Sequence, residues 1–252
     1  MILGVEIGGT KLQAGDGQRL VRWTVQRRAG RAGILRQLEQ GLPPLLTGVT
    51  RIGVGFGGPV EGGRVVTSHQ VAGWRRFPLQ RWFERRFGLP TVVENDSNCA
   101  GLAEARQGAG RGKARVFYCN VGTGIGGAFV WNGQLYNGRF GAMEFGHLRL
   151  ADGRTLESVA SGLAIERGVS TLAEAGRHVG AMLANVITLL NPDLVVVGGG
   201  VVLAGEKFLR PVREVCRRLV FAPFRGNYRI VPARLGEAVV VVGAILVAEE
   251  SR

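Results

Sequence analysis

The 252-residue chain is poor in the residues that build metal and disulfide frameworks. It has three cysteines, Cys99, Cys119 and Cys216, which lie far apart with no CxxC pair. That spacing excludes a disulfide scaffold and a cysteine metal cluster, and fits small buried apolar side chains. Histidine is equally scarce, at three residues. No apolar run reaches the roughly 20 residues of a membrane-spanning helix. No signal-peptide pattern precedes the first strand-like run, so the expectation is a soluble cytoplasmic protein with no membrane partner. Acidic residues are also few, 19 against 32 basic ones, for a net charge of +13. All the basic residues except Lys11, Lys113 and Lys207 are arginines. They are spread along the chain, and no module for reading bases or helix-turn-helix segment is visible. The expectation is therefore a solvated basic surface that draws in small anions, without a nucleic-acid partner.

Glycine, by contrast, is abundant at 41 residues, and it punctuates apolar runs. Residues 119–134, Cys-Asn-Val-Gly-Thr-Gly-Ile-Gly-Gly-Ala-Phe-Val-Trp-Asn-Gly-Gln, read as strand, glycine turn, strand and a two-residue turn. Asn132-Gly133 predicts a type I′ hairpin. The Gly122-x-Gly124-x-x-Gly127 spacing also meets a dinucleotide-binding pattern, but that pattern must open a helix. The residues that follow here are β-branched and aromatic. A glycine turn between antiparallel strands instead suggests an anion-binding concavity of bare backbone N–H groups.

The N-terminus repeats the arrangement. Ile2 to Ile7 reads as a strand, Gly8-Gly9-Thr10 as a glycine turn, Lys11 to Gly15 as a second strand, and Asp16-Gly17 as another I′ turn. Each half then reads βββ-α-β-α-β-α, which implies an internal duplication. The fold class expected is α/β: two domains with mixed sheets flanked by helices, residues 1–110 and 111–252, with a ligand cleft between them. The terminal helix, 238–250, is a candidate to pack on the first domain. Residues 108–114 and that helix are the candidate hinges. A helix over 97–108 is expected to be capped by Asp96 or Ser97.

Carried together, these motifs resemble the ROK family of sugar kinases and repressors, within the actin-like and hexokinase-like ATPase superfamily. The residues that carry the resemblance run in order along most of the chain. They are Glu6-Ile7-Gly8-Gly9-Thr10-Lys11, Gly57-Gly58-Pro59-Val60, Glu94-Asn95-Asp96-Ser97-Asn98, Gly122-Thr123-Gly124-Ile125-Gly126-Gly127, Glu144-Phe145-Gly146-His147, Leu156-Glu157, Asn191-Pro192-Asp193 and Gly198-Gly199-Gly200. The resemblance implies an ATP-dependent kinase acting on a hexose, glucose first, or on an N-acetylated amino sugar. A non-catalytic sugar-binding protein of the same fold is the alternative. It implies Asp96 as the catalytic base, placed just past a strand end where a sugar hydroxyl would need it. Gly57, Gly58, Asn95, Glu144, His147 and Glu157 are the implied sugar contacts. Gly8, Gly9, Thr10, Lys11, Gly122, Thr123 and Gly124 are the implied phosphate loops, and Gly198, Gly199 and Gly200 the adenosine-side loop. ATP implies Mg²⁺, with Glu6 its candidate carboxylate through water. A homodimer is compatible with the resemblance.

Three departures stand out. The family pattern has a zinc-binding cysteine cluster between its histidine and glutamate. Here only nine residues separate His147 from Glu157 and none is cysteine, so no structural zinc is expected and packing must hold the two side chains. The segment between Glu157 and Asn191 is also short. Ser68-His69-Gln70 stands where the family often has a sugar-touching asparagine, so preference for a sugar other than glucose is open.

Overall fold

The structure, a computed structural model, describes residues 1–68, 71–138 and 143–250. His69 and Gln70 of the divergent segment lie outside them. The chain divides into two compact units. One comprises Met1–Ala103 with the C-terminal stretch from Leu235; the other runs from Glu104 to Arg234 apart from a short stretch near Gly138.

The first unit is built on a five-stranded sheet in the order β3-β2-β1-β4-β7. Its strands are β1 (Ile2–Ile7), β2 (Lys11–Gly15), β3 (Leu20–Thr24), β4 (Arg51–Phe56) and β7 (Thr91–Asn95). A small hairpin, β5 (Val60–Glu61) with β6 (Arg64–Val65), stands apart from it. β1 pairs antiparallel with β2 and parallel with β4, and β4 pairs parallel with β7. β1 is buried along almost its whole length because both faces are covered. Leu3, Val5 and Ile7 join Ile34 and Leu38 of α1 (Gly30–Gly41) and Leu79 and Phe83 of α2 (Leu79–Phe87) in one core. The alternate residues meet the other helices. A Cβ on Gly4 or Gly53 would strike the backbone oxygens of Val241 and Ala244 in the terminal helix. A Cβ on Gly243 of that helix would strike the backbone of Cys99 in α3 (Asp96–Arg106). Residues from Val239 to Glu250 thus lie directly on β1 and β4.

The second unit repeats the order as β10-β9-β8-β11-β12. Its strands are β8 (Arg115–Val121), β9 (Ile125–Trp131), β10 (Gln134–Leu135), β11 (Leu194–Gly198) and β12 (Arg229–Pro232). Two short helices, α4 (Leu156–Ala160) and α5 (Gly162–Glu166), precede α6 (Leu172–Leu190), and α7 (Glu206–Leu219) links β11 to β12; the terminal helix is α8. Ser161 separates α4 from α5 and caps the second through the N–H of Ala164. Phe117, Cys119, Val195 and Val197 of the sheet pack with Val179, Leu183, Phe208 and Val212 of α6 and α7. The two five-stranded sheets thus match strand for strand, as the duplicated reading of the halves implies.

The two short turns differ. Asn132 and Gly133 both have positive φ, 49° and 76°, and join Trp131 directly to Gln134, as a type I′ turn requires. Asp16-Gly17 does not form that turn. Only Gly17 has positive φ, the strands close at Gly15 and Leu20, and Asp16 Oδ1 accepts from the N–H groups of Gln18 (2.9 Å) and Arg19 (2.8 Å). The carboxylate satisfies a four-residue loop where a two-residue turn was expected.

The division between units falls at Ala103/Glu104, inside α3, rather than at 110/111. Glu104 explains it: fully buried, it accepts from Ala109 N and Arg234 N, each at 2.7 Å, and so ties the end of α3 to second-unit backbone.

Candidate active site

In the first unit β1, β4 and β7 run parallel and end side by side at Ile7, Phe56 and Asn95. Open α/β sheets present ligand sites beyond such ends. Gly57 N–H donates to Ile7 O at 2.9 Å, which draws two of the exits together. A Cβ on Gly57 would stand 3.4 Å from Asp96 Oδ2 and 3.5 Å from Gly8 Cα. Gly8, Gly57, Gly58, Asn95 and Asp96 are therefore gathered at one edge of this unit.

Asn95 caps α3. Its Oδ1 accepts from Ser97 N (2.9 Å) and Asn98 N (3.1 Å), the second and third residues of the helix, and its Nδ2 donates to Gly58 O (3.0 Å). The expectation that Asp96 or Ser97 is the cap is corrected: the helix starts at Asp96, so the residue before it is in reach of the open N–H groups. Asp96 Oδ1 is held by Ser97, from the N–H at 2.7 Å and the hydroxyl at 3.3 Å, and Oδ2 lies toward Gly57.

Glu6 is 4 % exposed, with Oε2 3.3 Å from Lys11 Nζ. Burial pushes its carboxyl up to about 7 against the pull of Lys11, and the Asp96 charge adds to the rise. A Cβ on Gly8 would stand 3.6 Å from Glu6 Oε1, so bare glycine backbone lies over that oxygen. The turn closes through Gly8 N donating to Lys11 O at 3.0 Å, with Gly9 half-buried and Thr10 exposed. A single carboxylate beside a glycine turn fits Mg²⁺, which keeps most of its water and takes one or two carboxylates beside substrate phosphates. Among the described residues no three of His, Cys, Asp and Glu form a metal-binding group.

In the second unit the β8–β9 glycine turn is hemmed in by the other candidate residues. Glu157 Oε2 accepts from Ile125 N at 2.8 Å, and a Cβ on Gly124 would stand 2.5 Å from that oxygen. A Cβ on Gly146, in the helical turn Phe145–His147, would strike Ile125 O. Gly162 N donates to Gly122 O at 2.7 Å. A Cβ on Gly199 would strike Val121 O. Thr123, Glu144 and His147 are exposed, and Glu157 is half-buried. None of Gly8, Gly9, Gly122 and Gly124 has positive φ. The left-handed alternation of an anion nest is thus absent from both turns, and what glycine supplies at 124 is room for Glu157. In the third glycine run Gly199 has φ +91°, a Cβ on Gly198 would strike the Tyr118 hydroxyl, and Gly200 faces open space.

Packing was expected to hold His147 and Glu157, and Phe145 and Leu156 beside them are buried in the core. A backbone hairpin adds to it: Leu150 N donates to Arg154 O (2.8 Å), Gly153 N to Leu150 O (2.9 Å) and Leu156 N to Leu148 O (2.9 Å). Arg149 and Thr155 form a bridge, and Arg154 pairs with Asp152. Thr155 then caps α4 through Ser158 N.

Sequence reading passed over Gln13, buried beside Glu6, and Glu104 at the division between units. Gln13 lies within β2, and only strand register shows what it faces.

A family model described as the ROK family matches residues 2–172 and 164–251. A glucokinase from Streptomyces coelicolor is 30 % identical over 313 aligned positions, covering 99 % of this chain and 98 % of its own length. That alignment is longer than this chain, so the relative carries segments absent here. A ROK family glucokinase from Streptomyces griseus, solved in complex with glucose and AMPPNP, superposes with a TM-score of 0.87 at 31 % identity, covering 99 % of both chains. A ROK hexokinase from Thermus thermophilus superposes at 0.83 with 30 % identity, covering 98 % of this chain and 97 % of its own. With the fold repeated strand for strand and the family model spanning nearly every residue, the chain belongs to the ROK family.

Proposed function

We propose that the protein is an ATP-dependent sugar kinase that transfers the γ-phosphoryl group to a hexose hydroxyl, glucose O6 before others. The observation that carries this reading is the division of labour at the start of α3. Asn95 takes the capping role, and Asp96 Oδ2 lies toward Gly57 at the strand ends. Glucokinase relatives that cover the whole chain support the same reading.

In this account Asp96 accepts the proton of the attacking hydroxyl. Phosphoryl transfer is loose, so the proton leaves late and the base needs placement more than strength. Ser97 supplies the placement by holding Oδ1. Gly57 and Gly58 let backbone approach the sugar. Asn95, with both ends of its amide engaged, positions Gly58 and α3 and reaches the sugar only through its remaining N–H. Glu144, His147 and Glu157 are the sugar-facing residues of the second unit. Gly8 to Lys11 and Gly122 to Gly124 hold the donor phosphates, with Lys11 their nearby positive charge, and Gly198 to Gly200 the adenosine side. Mg²⁺ held through Glu6 would neutralise phosphate charge when the nucleotide binds.

An ADP-release assay over a panel of hexoses and N-acetylated amino sugars tests the reading. Turnover with at least one hexose is expected. ATP binding without turnover on any sugar would leave a sugar-binding protein of the same fold.

A further inference from the structure

Glu6 belongs to a polar row that crosses three strands. Register places Glu6 opposite Gln13 and Gln13 opposite Arg22, so the three side chains share one face of the sheet. Gln13 is completely buried. With its amide turned to suit its neighbours, its nitrogen donates to Glu6 Oε2 at 2.7 Å and to Glu237 O at 3.0 Å, and its oxygen accepts from Arg22 Nε and Nη2, each at 3.0 Å. Both N–H donors and both lone pairs are then used. Arg22 also pairs with the Glu237 carboxylate just before α8.

This row constrains Glu6. A glutamate has three side-chain torsions, and burial alone does not choose among their combinations. Lys11 and Gln13 both bind Oε2, which leaves Oε1 as the oxygen toward Gly8. Lys11 is one-third exposed on a flexible stem, so the fixed partner is Gln13.

We propose that Gln13 is the positioning residue for Glu6: held by Arg22 and Glu237 O, it fixes the carboxylate so that Oε1 faces the Gly8 turn and the metal of a bound metal–nucleotide complex. The proposal rests on the nucleotide-binding part of the reading above, and not on turnover.

The test measures Mn²⁺ binding, in place of Mg²⁺, by electron paramagnetic resonance on the full chain with AMPPNP present. Gln13→Ala is expected to weaken Mn²⁺ affinity in the ternary complex about tenfold, the scale on which residues that orient a metal's ligands act. Metal-free AMPPNP affinity should stay unchanged, a split that general loosening of the fold would not produce. Glu6→Gln should give a loss of similar size, and the double variant no further loss, because Gln13 acts through Glu6. Arg22→Met, at a half-exposed side chain, should shift Mn²⁺ affinity in the same direction, and decides the matter if Gln13→Ala fails to fold. Unchanged Mn²⁺ affinity in these variants, additive losses in the double variant, or an equal loss for metal-free nucleotide would overturn the proposal. A wild-type protein that binds Mn²⁺ and AMPPNP but phosphorylates no sugar would defeat the kinase reading and leave this measurement intact.

Discussion

The Glu157 carboxylate accepts a hydrogen bond from the Ile125 backbone N–H at 2.8 Å, joining α4 to the glycine turn between β8 and β9. A residue read as a sugar contact is also a brace for the turn read as a phosphate loop. The missing Cβ of Gly124 makes the contact possible. Gly124→Ala must push aside the flexible end of Glu157 rather than any backbone. The fold should survive, with a thermal midpoint within a few degrees of wild type. Sugar kcat/KM should fall about a hundredfold, the scale for misplacement by about an ångström. Steady-state kinetics beside thermal unfolding check it; an unchanged kcat/KM would mean that Glu157 serves the turn alone.

Asn95 is expected to affect stability and catalysis separately. Asn95→Ala removes the α3 cap and should cost about 1 kcal/mol in urea unfolding. Asn95→Ser restores a capping oxygen but not the donation to Gly58 O. It should recover stability while kcat stays low. Recovery of both would reduce Asn95 to a cap.

Much of this fold was legible. Apolar runs on either side of Gly8-Gly9 and Gly122-Thr123-Gly124 gave the paired hairpins, and Asn132-Gly133 gave its turn, because those signals are local. Asp96 was placed at a strand end for the same reason. The cap was not legible, since Glu94-Asn95-Asp96-Ser97-Asn98 offers several capping residues and only the helix start selects Asn95. Asp16-Gly17 misled because its carboxylate could bond further along the loop. The Glu6–Gln13–Arg22 row depends on strand register, which no local pattern states.

The short loop before α4 predicts independence from zinc. The Leu148–Leu156 backbone pairing and the Thr155 cap hold what the family's cysteine cluster would otherwise hold. A zinc chelator should leave the unfolding midpoint unchanged, and elemental analysis should find no stoichiometric zinc. Loss of stability with the chelator would contradict this.

Asp193 sets an acid limit on the second unit. It accepts from Arg115 N (2.9 Å) and Arg115 Nη2 (2.7 Å), binding the start of β11 to that of β8. Arg115 holds the Asp193 carboxyl below the ordinary carboxylate range. A depressed folded pKa means stability that is present above the unfolded value of about 3.9 and is lost as pH falls through the folded one. The gap in urea midpoint between wild type and Asp193→Asn should be constant above about pH 5 and close on further acidification. A gap that widens in acid would refute the pairing's role.

The central claim is that Asp96 is the base of a sugar kinase, and Asp96→Asn tests it most directly, with ADP release and calorimetric sugar binding measured on the same preparation. The account predicts that turnover disappears while sugar affinity stays within about tenfold of wild type, since the carboxylate acts chiefly in the transition state. Retained turnover, or lost sugar binding with residual catalysis, would contradict it.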